Sequence, residues 1–238
     1  MNKIKLLIIA LCLILPIPAV ATGDWFTMAA GSGDSAGGCT ANLYTNSVLY
    51  SRDIPSGITA SNWSQAGTDV AAYNAVGLDG DANTASTLTD DNASGIDSVT
   101  QQFSIPNDSN YNTVRVFIKK DSTTTRFPSV KLRQYFGTET SRQIQINTQT
   151  GATTAFTFTN GADEANSWGD GSWWEVLLSV QNNTSGATSA QLTVSPASGS
   201  EWGAASNLGQ GAAIIGNIEF YKGKTIAEIR GLCPVYHP

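Results

Sequence analysis

The sequence predicts an all-β fold, a two-sheet antiparallel β-sandwich of jelly-roll type. Three observations predict it. Apolar and polar residues alternate with a period of two in a series of short segments. Gly, Asn, Asp and Pro bound those segments. No stretch carries an amphipathic-helix pattern or a repeat period. Strands at this spacing, without helices to cover them, pack as two sheets around one core. A length of 238 residues suits one large all-β domain, and no linker interrupts the strand series after Cys39.

The chain opens with "MNKIKLLIIALCLILPIPAVA" (1–21). Lys3 and Lys5, an apolar run and Ala19-Val20-Ala21 have the order of a secretory signal peptide cleaved near Ala21. The run is short and Pro-interrupted for a membrane span. Cys12 follows Leu11 rather than a small residue, which argues against a lipid anchor. The expected mature protein is secreted, extracellular or periplasmic, with no membrane insertion. Residues 22–40, including "GSGDSAGGC", read as a flexible linker, and 41–238 as the folded domain.

The strand segments follow. "TVRVFIKK" (113–120) sets Val114, Val116 and Ile118 against Arg115, Phe117 and Lys119. "SVKLRQYF" (129–136) sets Val130, Leu132 and Phe136 against Lys131, Arg133 and Tyr135. "RQIQINTQTG" and "TTAFTFTN" suggest a hairpin about a Gly turn. "WWEVLLSVQN" and "SAQLTVSP" suggest a second pair around "NNTSG". "AIIGNIEFYKG" and "TIAEIRGL" complete the strand set.

Loss of the leader removes Lys3 and Lys5, so the net charge falls from -6 to -8. An acidic domain repels phosphates, which excludes nucleic acid as the natural partner. It tolerates neutral ligands, and it takes a polyanion only if its few basic residues gather on one face. Cys39 and Cys233 then remain near the two ends. A disulfide is the default in an oxidising compartment, the alternative being two unpaired thiols. It would close a loop of roughly 190 residues for about 5 kcal/mol, with both ends of the domain side by side.

Chemistry-bearing patterns are few. The sole histidine, His237, is penultimate, which weakens schemes that need an internal imidazole. G-x-S-x-G, P-loop and dinucleotide fingerprints are absent from the sequence. Glu175 lies on a predicted strand, with Asp163, Glu164 and Asp170 in the loop expected before it. Paired carboxylates of this kind would suit a glycosidase only at the right separation. "LDGDANTASTLTD" places Asp79, Asp81 and Asn83 in D-x-D-x-N order, a pattern open to structural calcium. Gly is missing at the sixth position and Asp stands at the twelfth, so an Asx-rich turn is the plainer reading.

The strongest constellation is the polar face of the strands. In register, the alternations gather Arg115, Phe117, Lys131, Arg133, Tyr135, Gln143, Gln145, Trp173 and Glu175 on one sheet face. Flat aromatics stack on the C–H faces of pyranoses, while amides and Arg forks fix hydroxyls or carboxylates. In "SWGDGSWWEV", Trp174 shares a face with Val176 and reads as core, whereas Trp173 shares the opposite face with Glu175. Trp168 and Trp202, in Gly-rich loops, read as a rim. The competing reading is an outer sheet face without a ligand.

The motif order adds a resemblance. "NLYTNSVLYSRDI…SNW" (42–63), "GLDGDANTASTLTDD" (77–91) and "VRVFIKKD" (114–121) come first. "INTQTGA" (146–152), "GDGSWWEVLLSVQNNTSGAT" (169–188) and "GNIEFYKGKTIAEI" (216–229) follow. Together these resemble the concanavalin-A-like, carbohydrate-binding-module-like β-sandwich domain of phage tail-fibre and related structural proteins. The resemblance covers residues 41–230 and implies a jelly roll with a glycan-binding role and no transferable catalytic residues. The chain departs from it in carrying a secretion leader, and in "GNIE", where Glu219 matches but its neighbours do not.

The expected function is carbohydrate binding through Phe117, Arg133, Tyr135, Gln145, Trp173 and Glu175, rimmed by Trp168 and Trp202. Two alternatives stand beside it. In a polysaccharide lyase or hydrolase, Arg133 would neutralise a uronate, Gln145 would hold its carboxylate and Tyr135 would act as acid and base. A structural or adhesive protein would instead show an exposed apolar patch.

Overall fold

The computed structural model describes residues 39–235 except 50, 53, 55–60, 68, 136–138, 158–160, 183–186, 200–201 and 204–208. The expected leader, nearly all of the expected linker, and His237 lie outside the described residues.

Among the described residues twelve strands form two antiparallel six-stranded sheets. In chain order they are β1 (Ser64–Ala66), β2 (Asp69–Ala75), β3 (Ala85–Asp90), β4 (Ser98–Ser104), β5 (Tyr111–Lys119) and β6 (Ser129–Tyr135). Then come β7 (Thr140–Ile146), β8 (Thr153–Thr157), β9 (Gly161–Trp168), β10 (Trp173–Gln181), β11 (Ser189–Ser195) and β12 (Gly211–Tyr221). The first sheet runs β1-β4-β11-β6-β7-β8 and the second β2-β3-β12-β5-β10-β9. This is the two-sheet antiparallel sandwich expected, in line with a jelly roll.

Alternation builds the core. Val114, Val116 and Ile118 of β5 meet Val176, Leu178 and Val180 of β10 on the inner face of the second sheet. Val130 and Leu132 of β6, Ile144 and Ile146 of β7, and Leu192 and Val194 of β11 face them from the first. β-Branched side chains suit these half-buried pleated positions. The β7–β8 hairpin is present as expected. Its turn carries Gly151 at φ 78°, where a Cβ would lie 2.5 Å from the Trp174 ring.

Three sequence expectations are corrected. β10 and β11 are not a hairpin: β10 pairs with β5 and β9, while β11 pairs with β4 and β6, so the "NNTSG" connection crosses between sheets. Asp163 and Glu164 lie on edge strand β9 rather than in a loop. There, Asp163 accepts from Arg142 of β7 and from Thr153 of β8, tying the two sheet edges together. "TIAEI" is not a strand but the short helix α1 (Ile226–Ile229). Thr225 and Glu228 form a capping box at its start, and Ile226 and Ile229 bury against Leu177 and Tyr221.

Cys39 and Cys233 are disulfide-bonded with their Cα atoms 5.0 Å apart. Thr40 and Leu232 make a parallel bridge beside the bond, so the two ends of the described chain lie together.

Candidate functional site

The residues expected on one face are divided between the outer faces of two sheets. Arg115 and Phe117 of β5 and Trp173 and Glu175 of β10 share the outer face of the second sheet. Lys131, Arg133 and Tyr135 of β6 and Gln143 and Gln145 of β7 share the outer face of the first. Alternation sorts residues within a strand, but it carries no information on which sheet the strand joins.

The outer face of the second sheet is covered. Phe117 is fully buried and Trp173 is 4% exposed; both pack with Ala85, Leu78 and Trp168. β12 bulges at Gly216, whose missing side chain admits the Trp173 ring; a Cβ there would lie 2.9 Å from it. This corrects the expectation that Trp173 and Phe117 face a ligand. Trp174, expected in the core, packs against it only partly buried. Its Nε1 donates to the Thr148 carbonyl, and the Lys120 ammonium lies 3.9 Å from its ring centre.

Glu175 is buried as well, in a charged cluster centred on Arg115. Arg115 Nη2 lies 2.7 Å from Glu175 Oε1 as an ion pair without hydrogen-bond geometry, and Nη1 donates to Glu219 Oε2 at 3.2 Å. Tyr221 donates to the same Glu219 oxygen at 2.8 Å. The Arg115 guanidinium is flanked by the Phe117 and Trp168 rings, 4.6 and 4.8 Å from their centres. The C-terminal segment closes over this group: the Leu232 carbonyl accepts from Arg115, and the Val235 amide donates to Glu219. Burial pushes both glutamates above their ordinary range, with Arg115 opposing the shift. Burial and the Glu219 charge push the Tyr221 phenol up.

Among the described residues the outer face of the first sheet is open. Across β4, β11, β6 and β7, register aligns Gln102, Gln191, Arg133 and Ser141 in one row and Thr100, Thr193, Lys131 and Gln143 in the next. Strand spacing makes this patch roughly 14 Å wide. Gln102 is exposed, and Gln191, Lys131, Arg133, Tyr135 and Gln143 are partly exposed. Arg133 lies over the Tyr135 ring at 5.1 Å and donates to Glu139 Oε2 at 2.8 Å. That hydrogen bond holds Arg133 above and Glu139 below its ordinary pKa. Gln145 sits at the end of the face, buried, accepting from the Gly203 amide. Next to Gly203, Trp202 is 40% exposed and packs edge-on to Phe127.

Among the described residues the outward positions of β4, β11, β6 and β7 offer amides, hydroxyls, two cations and the Tyr135 ring. The lyase triad does not converge. Arg133 pairs with Ser141, and Gln145 lies four residues further along β7, roughly 13 Å away at strand rise. Thr100 and Gln102 of β4, Gln191 and Thr193 of β11, and Ser141 of β7 also stand on this face, beyond the residues that alternation gathered. β4 was not recognised, and β11 was paired with the wrong strand.

The Asp79 loop is an Asx turn. Asp79 Oδ1 accepts from the Thr84 hydroxyl and the Asp81 amide, and Oδ2 from Arg52 at 2.6 Å. Burial raises the Asp79 pKa, but Thr84 and Arg52 outweigh it and hold the carboxyl below its ordinary value. A guanidinium thus already sits on the carboxylate that the D-x-D-x-N reading offers to calcium. Among the described residues no three His, Cys, Asp or Glu side chains form a metal-binding group. No helix among them is long and apolar enough to cross a membrane.

No protein-family model matches the chain, and no curated protein matches it. Among solved structures, it is similar to the enzymatically active domain of tailspike protein 4 of bacteriophage CBA120. That match has 16% identity and a TM-score of 0.44, over 74% of this chain and 21% of that one. It is also similar to the Clostridium thermocellum CBM22-1–GH10 modules of xylanase 10B complexed with xylohexaose. The values there are 13% and 0.43, over 80% of this chain and 30% of that one. The mannan-recognising carbohydrate-binding module TmCBM27 matches at 11% and 0.33, over 77% of this chain and all of that one. The chain thus spans less than a third of the first two structures.

Proposed function

We propose that the chain is a secreted carbohydrate-binding domain that takes a polysaccharide on the outer face of the β1-β4-β11-β6-β7-β8 sheet. The observation that carries this reading is the open face itself. Rows of amide, hydroxyl and guanidinium groups flank the Tyr135 ring, whereas the opposite sheet's outer face is packed over. Such groups satisfy sugar hydroxyls, and a flat ring takes the sugar's C–H face. Export is supported by the leader-like first 21 residues and by a disulfide, which persists in oxidising compartments.

A glycan array with wild-type and Tyr135→Ala protein tests it, alongside an ultraviolet assay for unsaturated uronates. Binding that weakens in the variant, without product, is expected. Product formation would make the protein a lyase and overturn the reading. Binding unaltered by Tyr135→Ala would remove this face from the site.

A further inference from the structure

The open face differs in charge from the chain that carries it. The sequence holds 19 acidic against 13 basic residues. The outward positions of β4, β11, β6 and β7 are Ser, Thr, Gln and Tyr, with Lys131 and Arg133 and no carboxylate. Every other arginine among the described residues is already paired: Arg52 with Asp79, Arg115 with Glu175 and Glu219, Arg126 with Asp121, Arg142 with Asp163, and Arg230 with Glu164. Among the described residues Lys131 makes no ion pair.

Arg133 does have a partner, and the partner is informative. Glu139, just ahead of β7, puts a carboxylate on the guanidinium beside Tyr135; the two side chains are 39% and 43% exposed. A solvent-exposed pair of this kind is weakly held. An anion from outside can compete with Glu139 for this guanidinium. The planar guanidinium fork matches a carboxylate in particular.

We infer that this face takes a polyuronate. One sugar carboxylate replaces Glu139 on Arg133, and Lys131, two residues along the same strand, attracts the next. The inference rests on the glycan-binding reading and names its ligand class. Because the whole chain is acidic, the attraction is local and weakens steeply with salt.

The test uses the full chain with its disulfide intact, in affinity electrophoresis and calorimetry. Ligands are polygalacturonate, alginate, fully methyl-esterified polygalacturonate, dextran sulfate and neutral mannan. Binding is expected to one or both polyuronates and to be lost on esterification. Arg133→Ala and Lys131→Ala each weaken it about tenfold. Glu139→Gln strengthens it roughly twofold to fivefold by removing the internal competitor, a gain that misfolding cannot mimic. Equal binding to the esterified polymer, or to mannan alone, overturns the inference and leaves glycan binding standing. Dextran sulfate bound as tightly as polyuronate overturns it in favour of general cation attraction. Silence on all five ligands and on the glycan array removes both readings together.

Discussion

Replacing Arg115 by methionine removes the guanidinium that stands between Glu175 and Glu219 while keeping most of the side-chain stem. Both carboxyls are buried, and the Arg115 contacts of 2.7 and 3.2 Å oppose the rise that burial imposes on their pKa values. Breaking a buried pair in this way typically costs 3–5 kcal/mol, because a charge is left uncompensated, so about 4 kcal/mol is expected near neutral pH. The pH dependence separates this from a packing effect. A carboxyl raised in the folded state binds more protons there than in the unfolded chain. Stability therefore falls as pH rises from the ordinary glutamate value of 4.5 towards the folded value. The fall is at most about 1.4 kcal/mol per pH unit for each group. Arg115→Met extends that window upward, so its cost grows with pH. At about pH 4, with the carboxyls neutral, only the packing loss of about 1 kcal/mol remains. Urea unfolding of the oxidised protein at both pH values measures this. An equal loss at the two, or a total below about 1 kcal/mol at neutral pH, would refute the electrostatic account. Adding Glu219→Gln should recover part of the loss at neutral pH only.

Other outcomes follow from the packing. Trp173→Ala should destabilise the fold by about 3–5 kcal/mol in denaturant titration. Glycan affinity of the surviving folded fraction should stay unchanged, and a selective loss of affinity would reinstate Trp173 as a ligand contact. Cys39→Ala with Cys233→Ala should cost up to about 5 kcal/mol, read as a drop in Tm; no change would mean that the bond constrains nothing. Calcium and a chelator should leave the Tm where it is, because Arg52 and Thr84 already occupy the Asp79 carboxylate. A calcium-dependent rise would restore the metal reading.

The central strands were legible because both of their faces obey the pleat. β5, β6, β7, β10, β11 and β12 all showed as period-two runs with β-branched inner positions. β9 was not legible. "GADEANSW" is an edge strand whose inward Asp163 is satisfied by Arg142, so it lacks the apolar half of the pattern. The "T-I-A-E" of α1 carried a capping-box signal that its short apolar alternation masked. The placement of the candidate-site residues was half legible for a related reason. Alternation correctly separated Arg133 and Tyr135 from the core, but it treated Trp173 the same way. Whether an outward face meets water depends on distant segments, here the C-terminal segment near Leu232 and the loop at Leu78, and no local pattern encodes that.

The clasp between Cys39 and Cys233 has a mechanical consequence. Tension applied through the chain on either side of these residues passes through one covalent bond, whose Cα atoms are 5.0 Å apart. The intervening sequence separation of 194 residues is shielded from stretching. A single-molecule pulling experiment should show an inextensible domain when oxidised. Under reductant, release of roughly 650 Å of contour length is expected, given ~3.4 Å per extended residue. The domain would then hold its shape under shear as long as its surroundings stay oxidising.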